Sequence, residues 1–208
     1  MQSSEYAYDT ANQSCAHPYL LEAVKQRLRR RRKDGKVLDL GCGNGFLSNE
    51  LSRLGFNVYG VDSSQSGIQI ARQAFPHVQF LLGDVEEDLC PELFPAESFD
   101  FVVSTEVVEH VYNPRNLAQN AFRLLKPSGQ LIISTPYHGY VKNLLLALSG
   151  KMDGHFTALW DGGHIKFWSR ETLSGLLAER GFRDLEFTGT GRLPYMWKSM
   201  ILVARKPE

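Results

Sequence analysis

The chain has 208 residues, of which 43% are hydrophobic and 22% charged, as expected for one soluble globular domain. Its 23 Lys and Arg residues balance 23 Asp and Glu residues, so net charge does not attract nucleic acid or anionic lipid. Cys15, Cys42 and Cys90 form no CxxC pair, which argues against a disulfide framework or zinc site and favours a reducing, cytoplasmic setting. The first residues lack the pattern of a secretory signal, and no apolar run reaches membrane-spanning length.

The N-terminal part combines a polar stretch with a helix. Residues 1–16 are polar, and we expect them to be mobile or to fold over a ligand. A helix then begins at His17-Pro18, where proline is tolerated in the first turn, with apolar positions at Leu20, Leu21, Val24 and Leu28. The basic run at 29–33 is either a nucleic-acid patch or a solvated helix end, and the balanced net charge favours the helix end.

From residue 36 onward, short apolar strands alternate with amphipathic helices. Strands are predicted at 37–40, 58–61, 80–82, 101–104 and 131–134. Helices are predicted from Phe46 to Leu54, from Ser63 or Ser64 to Ala74, and from Asn113-Pro114 to Leu125, the last one closed by residues 127–129. This alternation predicts parallel strands, right-handed crossovers and helices on both faces of the sheet, which is a doubly wound α/β fold.

The last third of the chain follows a different pattern. Residues 137–167 form an insertion for which the sequence predicts no defined structure, and a helix follows at 170–180, with Ser169 as its N-cap and Gly181 after its end. Runs at 184–188 and 200–204 predict an antiparallel edge pair that completes a mostly parallel seven-stranded sheet. We expect a single domain, 1–208, with an N-terminal segment (1–35), a core (36–136), an insertion (137–168) and a C-terminal part (169–208).

The first predicted strand runs into a glycine-rich loop, Asp39-Leu40-Gly41-Cys42-Gly43-Asn44-Gly45. Glycines let a backbone pass close to a ligand, and ligands in this fold bind outside the carboxyl ends of the strands. The dinucleotide spacing G-x-G-x-x-G would need Gly or Ala at 46, and Phe46 there disfavours an NAD-dependent oxidoreductase. The Asp39 carboxylate suits an ammonium better than a pyrophosphate, and the amino-acid end of S-adenosylmethionine supplies that ammonium.

Two more acidic signals follow the next two strands. Asp62 can accept hydrogen bonds from both hydroxyls of a ribose, and Gly83-Asp84-Val85 is placed to meet an adenine amino group, although alone it is typical of an ordinary turn. Together the three signals resemble the class I S-adenosylmethionine-dependent methyltransferase superfamily over residues 36–135. The resemblance implies cofactor contacts from the following residues: Asp39, Gly41, Gly43 and Gly45 to the methionine portion, Asp62 and Ser63 to the ribose, Asp84 and Val85 to adenine, and Thr105 or Glu106 near the reacting methyl.

The fourth predicted strand is followed by Thr105-Glu106-Val107-Val108-Glu109-His110-Val111. On a helical turn, Glu106 would meet Glu109 at i+3 and His110 at i+4. A hydroxyl acceptor must lose a proton during methylation, which needs a base or a metal. His110, with Glu109, is the candidate catalytic base. Alternatively, Glu106, Glu109, His110 and His164 hold a divalent cation (Mg²⁺, Mn²⁺ or Zn²⁺), or Glu109 and His110 make only structural hydrogen bonds.

The E-x-x-E-H arrangement and the later His164-x-x-Phe167 are similar to the ubiquinone-biosynthesis O-methyltransferases. The similarity extends through 134–136 and 188–191, and it implies O-methylation of a small aromatic or lipophilic hydroxyl compound. The arrangement is also similar to the small-RNA 3′-end 2′-O-methyltransferases, which bind Mg²⁺ with such a constellation. An RNA 2′-O-methyltransferase and a cofactor-binding protein without activity stay as alternatives, but an RNA substrate needs a basic groove and only 29–33 offers one.

The insertion carries aromatic residues and a largely apolar stretch at 140–148. That stretch has three interpretations, which are core packing, a lid over a lipophilic acceptor, and a peripheral contact with a membrane surface. Core packing is the default expectation. The sequence gives no sign of the oligomeric state.

Overall fold

A computed structural model describes residues 7–13, 17–29 and 34–208. Its helices are α1 (His17–Arg29), α2 (Phe46–Ser52), α3 (Gln65–Ala74), α4 (Pro114–Leu124), α5 (Tyr140–Leu148), α6 (Met152–Phe156) and α7 (Arg170–Arg180). Its strands are β1 (Lys36–Leu40), β2 (Asn57–Asp62), β3 (Gln79–Leu82), β4 (Phe99–Thr105), β5 (Leu125–Pro136), β6 (Arg183–Thr190) and β7 (Ser199–Arg205). None of the described helices has both the length and the hydrophobicity to cross a bilayer.

All seven strands form one sheet in the order β3-β2-β1-β4-β5-β7-β6. Strands β1 to β5 pair in parallel, and β7 runs antiparallel to both β5 and β6. The predicted seven-stranded, doubly wound α/β fold with its antiparallel edge pair is therefore confirmed. The strand order reverses between β1 and β4, and a ligand crevice is expected outside the carboxyl ends of the strands at such a point.

The sheet is buried on both faces because side chains alternate across each strand. On β1, Leu38 and Leu40 pack into one apolar cluster, whereas Val37 packs into the cluster on the opposite face. Helices α4 and α7 cover the first face, and α1, α2 and α3 cover the second. In α1, Leu20, Val24 and Leu28 are fully buried, as the helical spacing predicts.

Three predicted boundaries differ from the structure. Leu125 was predicted to end a helix, but α4 ends at Leu124 and Leu125 begins β5, where it pairs with Phe99 across a register shift. Residues 127–129 lie within β5, and Ser128 takes a φ of 62° there. Leu54 lies beyond the end of α2, because the chain turns after Ser52 toward Gly55 at φ 94°. The predicted basic run continues past Arg29 into residues 30–33, which lie outside the described residues.

The insertion contains defined structure, although its sequence shows no clear pattern. Helices α5 and α6 fill its first half, and residues 157–169 return to the sheet as an irregular segment. Two backbone hydrogen bonds, from Ile165 and Lys166 to the carbonyl of Glu109, attach this segment to the loop after β4. The insertion therefore covers the carboxyl end of β4.

Candidate active site

The loop after β1 turns sharply, and its glycines are required by backbone geometry. Gly41, Gly43 and Gly45 have φ values of 84°, 52° and 78°, which side-chain-bearing residues rarely adopt. A Cβ on Gly43 would lie 2.4 Å from the hydroxyl of Tyr8, and one on Gly41 would lie 2.4 Å from a methyl of Val107. The loop therefore has no room for side chains at these positions, and we call residues 41–45 the glycine cradle.

The N-terminal segment lies over this loop. The Asn44 side chain donates to the carbonyls of Thr10 and Asn12, at 2.8 Å each, and the backbone N–H of Tyr8 donates to Ser66 Oγ at 3.1 Å. Residues 7–13 therefore fold over the predicted ligand site, which is one of the two expectations for the polar N-terminus.

Asp39 is buried beneath the loop with one oxygen unpaired. Its Oδ2 accepts a hydrogen bond from Ser48 Oγ at 2.6 Å, whereas Oδ1 has no partner among the described residues. Burial raises the pKa of Asp39 to about 7. An unsatisfied buried carboxyl oxygen is costly, and a cationic ligand beside the loop would relieve that cost.

Asp62, at the end of β2, ties that strand to the glycine loop. Its Oδ2 accepts from the N–H of Gly43 at 2.7 Å and its Oδ1 from the N–H of Ser64 at 2.8 Å. Burial raises the pKa of Asp62, and the two backbone donors oppose that rise. Each carboxylate oxygen keeps a free lone pair for a ligand hydroxyl. The helix cap is Ser64, whose side chain accepts from Gly67, and Ser63 stays exposed beside it.

The loop after β3 is held in place by a residue that the sequence reasoning missed. Asn120 of α4 is buried, and its amide donates to the carbonyls of Val85 and Glu87 and accepts from the N–H of Leu89. Asp84 accepts from the N–H of Glu86, and the Val85 side chain packs into the core. An asparagine at a core position of an amphipathic helix was the one sequence signal for this role.

Glu106 begins the loop after β4, and serines of β5 and β7 hold its carboxylate. Its φ of 55° is left-handed, and its carboxylate accepts from Ser134 Oγ at 2.8 Å and from Ser199 Oγ at 3.1 Å. Burial raises the pKa of Glu106 to about 7. The chain at 107–110 forms a turn rather than a helix, so Glu106 does not join Glu109 and His110 as the i, i+3, i+4 spacing predicts.

Three ligand-type side chains apart from Glu106 converge at the loop after β4. Glu109, His110 and His164 each offer an atom within 4.8 Å of the others, and the two imidazole rings are 4.8 Å apart. The Glu109 carboxylate makes no well-aligned hydrogen bond among the described residues, although the Thr135 side chain lies beside it. Burial raises the pKa of Glu109 well above its usual range, and the neighbouring Glu106 adds to the rise. We call these three residues the transfer cluster.

The imidazole of His110 is half-buried and oriented by the insertion. Its Nδ1 lies 3.1 Å from the carbonyl oxygen of Gly162, and burial lowers the pKa of His110 below its usual value. An Nδ1–H that donates to this carbonyl leaves Nε2 with a free lone pair. Such a nitrogen can accept a proton or bind a metal.

Helix α5 of the insertion presents an apolar face to solvent. Tyr140, Val141, Leu144, Leu145 and Leu148 are all exposed, and Lys142 is the one buried residue of the helix. The default expectation, that this stretch packs as core, is therefore wrong.

Comparison with known proteins places this chain in a family. A profile described as "Methyltransferase domain" matches residues 13–186. The chain is similar to the ubiquinone biosynthesis O-methyltransferase of Bradyrhizobium diazoefficiens, with 40% identity over 77% of this chain and 63% of that protein. It is also similar to the mitochondrial ubiquinone biosynthesis O-methyltransferase of Rattus norvegicus, with 36% identity over 70% of this chain and 44% of that protein.

Among solved structures, an S-adenosylmethionine-dependent methyltransferase from Methanosarcina mazei shares the fold. Its TM-score is 0.67 at 22% identity, covering 88% of this chain and 97% of that one. The chain spans about half the length of the two curated relatives, 44% and 63%.

Proposed function

This chain belongs to the methyltransferase domain family, and we propose that it transfers the methyl group of S-adenosylmethionine to a hydroxyl oxygen of a small aromatic or lipophilic compound. The observation that carries this proposal is the transfer cluster at the carboxyl end of β4, next to β1, which carries Asp39 and has β2 with its terminal Asp62 on its other side. The curated relatives' names, which specify O-methylation, support the same acceptor class.

The residues after β1, β2 and β3 fit the cofactor. The unpaired Oδ1 of Asp39 suits the ammonium at the amino-acid end of the cofactor, and the glycine cradle would accommodate the methionine portion. Asp62 would accept from the ribose hydroxyls, and the loop that Asn120 holds at Asp84 and Val85 would meet adenine. Thr105, at the end of β4, would border the reacting methyl. When bound, the cofactor supplies a methyl group already activated by the sulfonium.

The chain's own task is then to orient the acceptor and remove its proton. In this proposal Nε2 of His110 takes the proton of the acceptor hydroxyl, while the Gly162 carbonyl accepts from Nδ1–H and stabilises the resulting imidazolium. Glu109, whose pKa is raised by its burial, positions the hydroxyl by hydrogen bonding. The segment at 162–166 closes over the site and limits access of water.

A divalent cation is the second candidate for activating the hydroxyl, and the convergence of three ligand-type side chains in the transfer cluster supports it. Glu109, His110 and His164 supply one carboxylate and two imidazoles, a donor set that suits Mn²⁺ or Zn²⁺ at least as well as Mg²⁺. Glu106 would not be a ligand, because Ser134 and Ser199 hold its oxygens. A bound cation would lower the pKa of the acceptor hydroxyl.

A labelled-methyl transfer assay with and without a chelator tests both candidates. We expect catechol-type acceptors to be labelled and their fully O-methylated counterparts not to be. Transfer that survives EDTA supports His110 as the base, whereas loss on EDTA and recovery with Mg²⁺, Mn²⁺ or Zn²⁺ supports the cation. Labelling of small RNA instead would favour the RNA 2′-O-methyltransferase, and cofactor binding with no transfer to any acceptor would favour an inactive binding protein.

The exposed face of α5 supports one more proposal, a peripheral contact with a lipid surface. Large exposed apolar side chains on one helix are typical of interfacial segments, and this helix begins next to the acceptor side of the site. Such a contact would let a lipophilic acceptor reach the transfer cluster from the membrane. The cytoplasmic location and the single-domain organisation stay predictions.

A further inference from the structure

The described N-terminal residues cross the glycine cradle, and we call residues 7–13 the strap. Asn44, inside the cradle, is 8% exposed, and its side-chain amide donates to two strap carbonyls, those of Thr10 and Asn12, at 2.8 Å each. The Oδ1 of the same amide accepts from the N–H of Phe46 at 3.3 Å. Asn44 therefore fastens the strap to the loop that follows β1.

Tyr8 is the strap residue that reaches the cradle. A Cβ on Gly43 would lie 2.4 Å from the Tyr8 hydroxyl oxygen, and a Cβ on Gly67 would lie 2.9 Å from the Tyr8 ring. The backbone N–H of Tyr8 also donates to Ser66 Oγ at 3.1 Å. Two glycines, one after β1 and one in the first turn of α3, thus leave the slot that the ring fills, and the hydroxyl lies at the cradle.

The cradle is also bordered by two buried carboxylates. Asp39 is 1% exposed with an unpaired Oδ1, and Asp62 accepts from the N–H of Gly43, the glycine beside the Tyr8 hydroxyl. In the proposed complex these carboxylates bind the ammonium and the ribose hydroxyls of the cofactor. The carboxylate of the cofactor is attached to the same carbon atom as that ammonium, so it lies at the cradle as well. It needs hydrogen-bond donors, which ionised aspartates are not and a phenol hydroxyl is.

We propose that Tyr8 is a cofactor-binding residue, whose hydroxyl donates a hydrogen bond to the carboxylate of S-adenosylmethionine while Asn44 holds the strap over the bound cofactor. The contact deepens the proposed function and rests on it for the identity of the cofactor. A hydrogen bond from a phenol to a carboxylate is charge-assisted and stronger than a neutral one. Because the strap crosses the cradle, it must lift before the cofactor leaves, and Asn44 is then a positioning residue that slows release.

Two ligands that differ only in the carboxylate test the contact. S-adenosylhomocysteine and its decarboxylated analogue, S-adenosyl-3-thiopropylamine, would each be titrated by calorimetry into the wild type and into Tyr8→Phe. Hydrogen bonds to charged groups contribute about 1.5–3 kcal/mol, so Tyr8→Phe should bind S-adenosylhomocysteine about 10- to 150-fold more weakly. The affinity for the decarboxylated analogue should not change, because it has no carboxylate for the hydroxyl to bind.

The rate of cofactor release tests the strap. Release of tritiated S-adenosylhomocysteine would be followed after a chase with unlabelled ligand. Release from Asn44→Ala should be about tenfold faster or more, because opening the strap no longer breaks the hydrogen bonds to Thr10 and Asn12. Tyr112→Ala, at a tyrosine that is 76% exposed and lies outside the cradle, is the control and should leave the release rate unchanged.

Protection from chymotrypsin tests the strap without any substitution. Chymotrypsin cleaves after tyrosine, and mass spectrometry identifies the cut after Tyr8. Saturating S-adenosylhomocysteine should slow this cut about tenfold or more, since cleavage requires the open strap. Cleavage after Tyr140, which is 85% exposed on α5, is the internal control and should not change. Thermal unfolding checks that the variants fold, and the protection measurement decides the question if one of them does not.

A loss of affinity in Tyr8→Phe that is equal for both ligands, or no loss at all, would overturn the contact between hydroxyl and carboxylate. Release that Asn44→Ala does not change, or equal cleavage after Tyr8 with and without the ligand, would overturn the strap. All of these outcomes would leave methyl transfer by the protein intact. A wild-type protein that binds neither ligand would contradict the cofactor itself, and with it the proposed function.

Discussion

The cofactor side and the acceptor side of the site differ in how completely the protein satisfies its own polar atoms. At the ends of β2 and β3, Asp62 and Asp84 accept backbone hydrogen bonds, and Asp39 Oδ1 is the one buried side-chain atom of the cofactor side without a partner in the described chain. On the acceptor side the buried polar atoms without a well-aligned hydrogen bond in the described chain belong to Glu109, Thr135, His138, Asn143 and His155, of which Thr135 lies beside Glu109 and Asn143 beside His138. The cofactor side is thus nearly complete in itself, whereas the acceptor side has more buried polar atoms whose hydrogen bonds are incomplete.

This difference reflects how each side is built. The cofactor contacts come from short turns that follow directly on single strands, so local geometry fixes them. The acceptor side joins residues far apart in the chain, such as His110 with Gly162 and His138 with Phe167. We therefore expect substitutions on the two sides to have separable effects on cofactor affinity and on turnover.

The largest expected effect is on turnover. His110→Ala should lower kcat by about 10²- to 10⁴-fold, the usual contribution of a positioned acid or base, with cofactor affinity unchanged. His77→Ala, at an exposed histidine in the loop before β3, is the matched control and should keep full activity. Full activity in His110→Ala would mean that this residue is structural, and a parallel loss of cofactor affinity would break the separation of the two sides.

The converse substitution is Asp62→Ala. Loss of hydrogen bonds to a charged acceptor costs about 1.5–3 kcal/mol, so S-adenosylmethionine affinity should fall about 10- to 150-fold by calorimetry. Asp62→Asn, which keeps the shape and one acceptor oxygen, should lose less. If affinity is unchanged in Asp62→Ala, the ribose binds elsewhere.

A third test uses the pH dependence of stability. Burial raises the pKa of Asp39 from its ordinary value of 3.8 to about 7 in the folded protein, so between these values the folded state binds more protons than the unfolded state. The unfolding free energy of the ligand-free protein should therefore fall as pH rises through this window. Asp39→Asn should reduce that slope. Part of the slope should remain, because burial also raises the pKa of Glu106 to about 7, which contributes in the same direction.

Bound S-adenosylmethionine should likewise reduce the slope, because its ammonium stabilises the charged form of Asp39. Denaturant unfolding at a series of pH values measures both effects. A slope that neither Asp39→Asn nor the cofactor changes would place the ammonium away from Asp39.

The smallest expected effect is on membrane contact. Replacing Leu144 and Leu148 with Asp should weaken binding to phospholipid vesicles about tenfold, since each exposed leucine loses apolar burial at the interface. Turnover of a water-soluble acceptor should stay at the wild-type level. Tyr112→Asp, at an exposed apolar residue outside α5, is the control and should bind vesicles normally. Vesicle binding that the double substitution does not change would exclude α5 as the contact.

Local signals predicted most of the fold and the cofactor side. Ser169 and Gly181 bound α7 as predicted, and the glycine loop has the positive φ angles that its composition indicates. The family membership predicted from that loop and the later acidic turns is confirmed. In contrast, Leu125 was assigned to a helix because its pairing with Phe99 is a contact across the sheet that no local pattern encodes.

The acceptor side could be predicted only as a list of residues. The turn at 107–110 separates Glu106 from Glu109, and its shape depends on the left-handed backbone of Glu106 and on the distant Ser134 and Ser199. The loop before α5 and the helices α5 and α6 bring His138, Asn143 and His155 together within the insertion. Such arrangements arise from tertiary packing, which sequence spacing alone does not specify.

The most direct test of the central claim is to identify the methylated atom. The protein would be incubated with S-adenosylmethionine carrying a ¹³C-methyl group and a lipophilic catechol, and the product examined by NMR. We expect a single new methoxy resonance, with its methyl bonded to a ring oxygen, that is absent with His110→Ala. A methyl group on carbon or nitrogen, or no product from protein that demonstrably binds the cofactor, would contradict hydroxyl methylation.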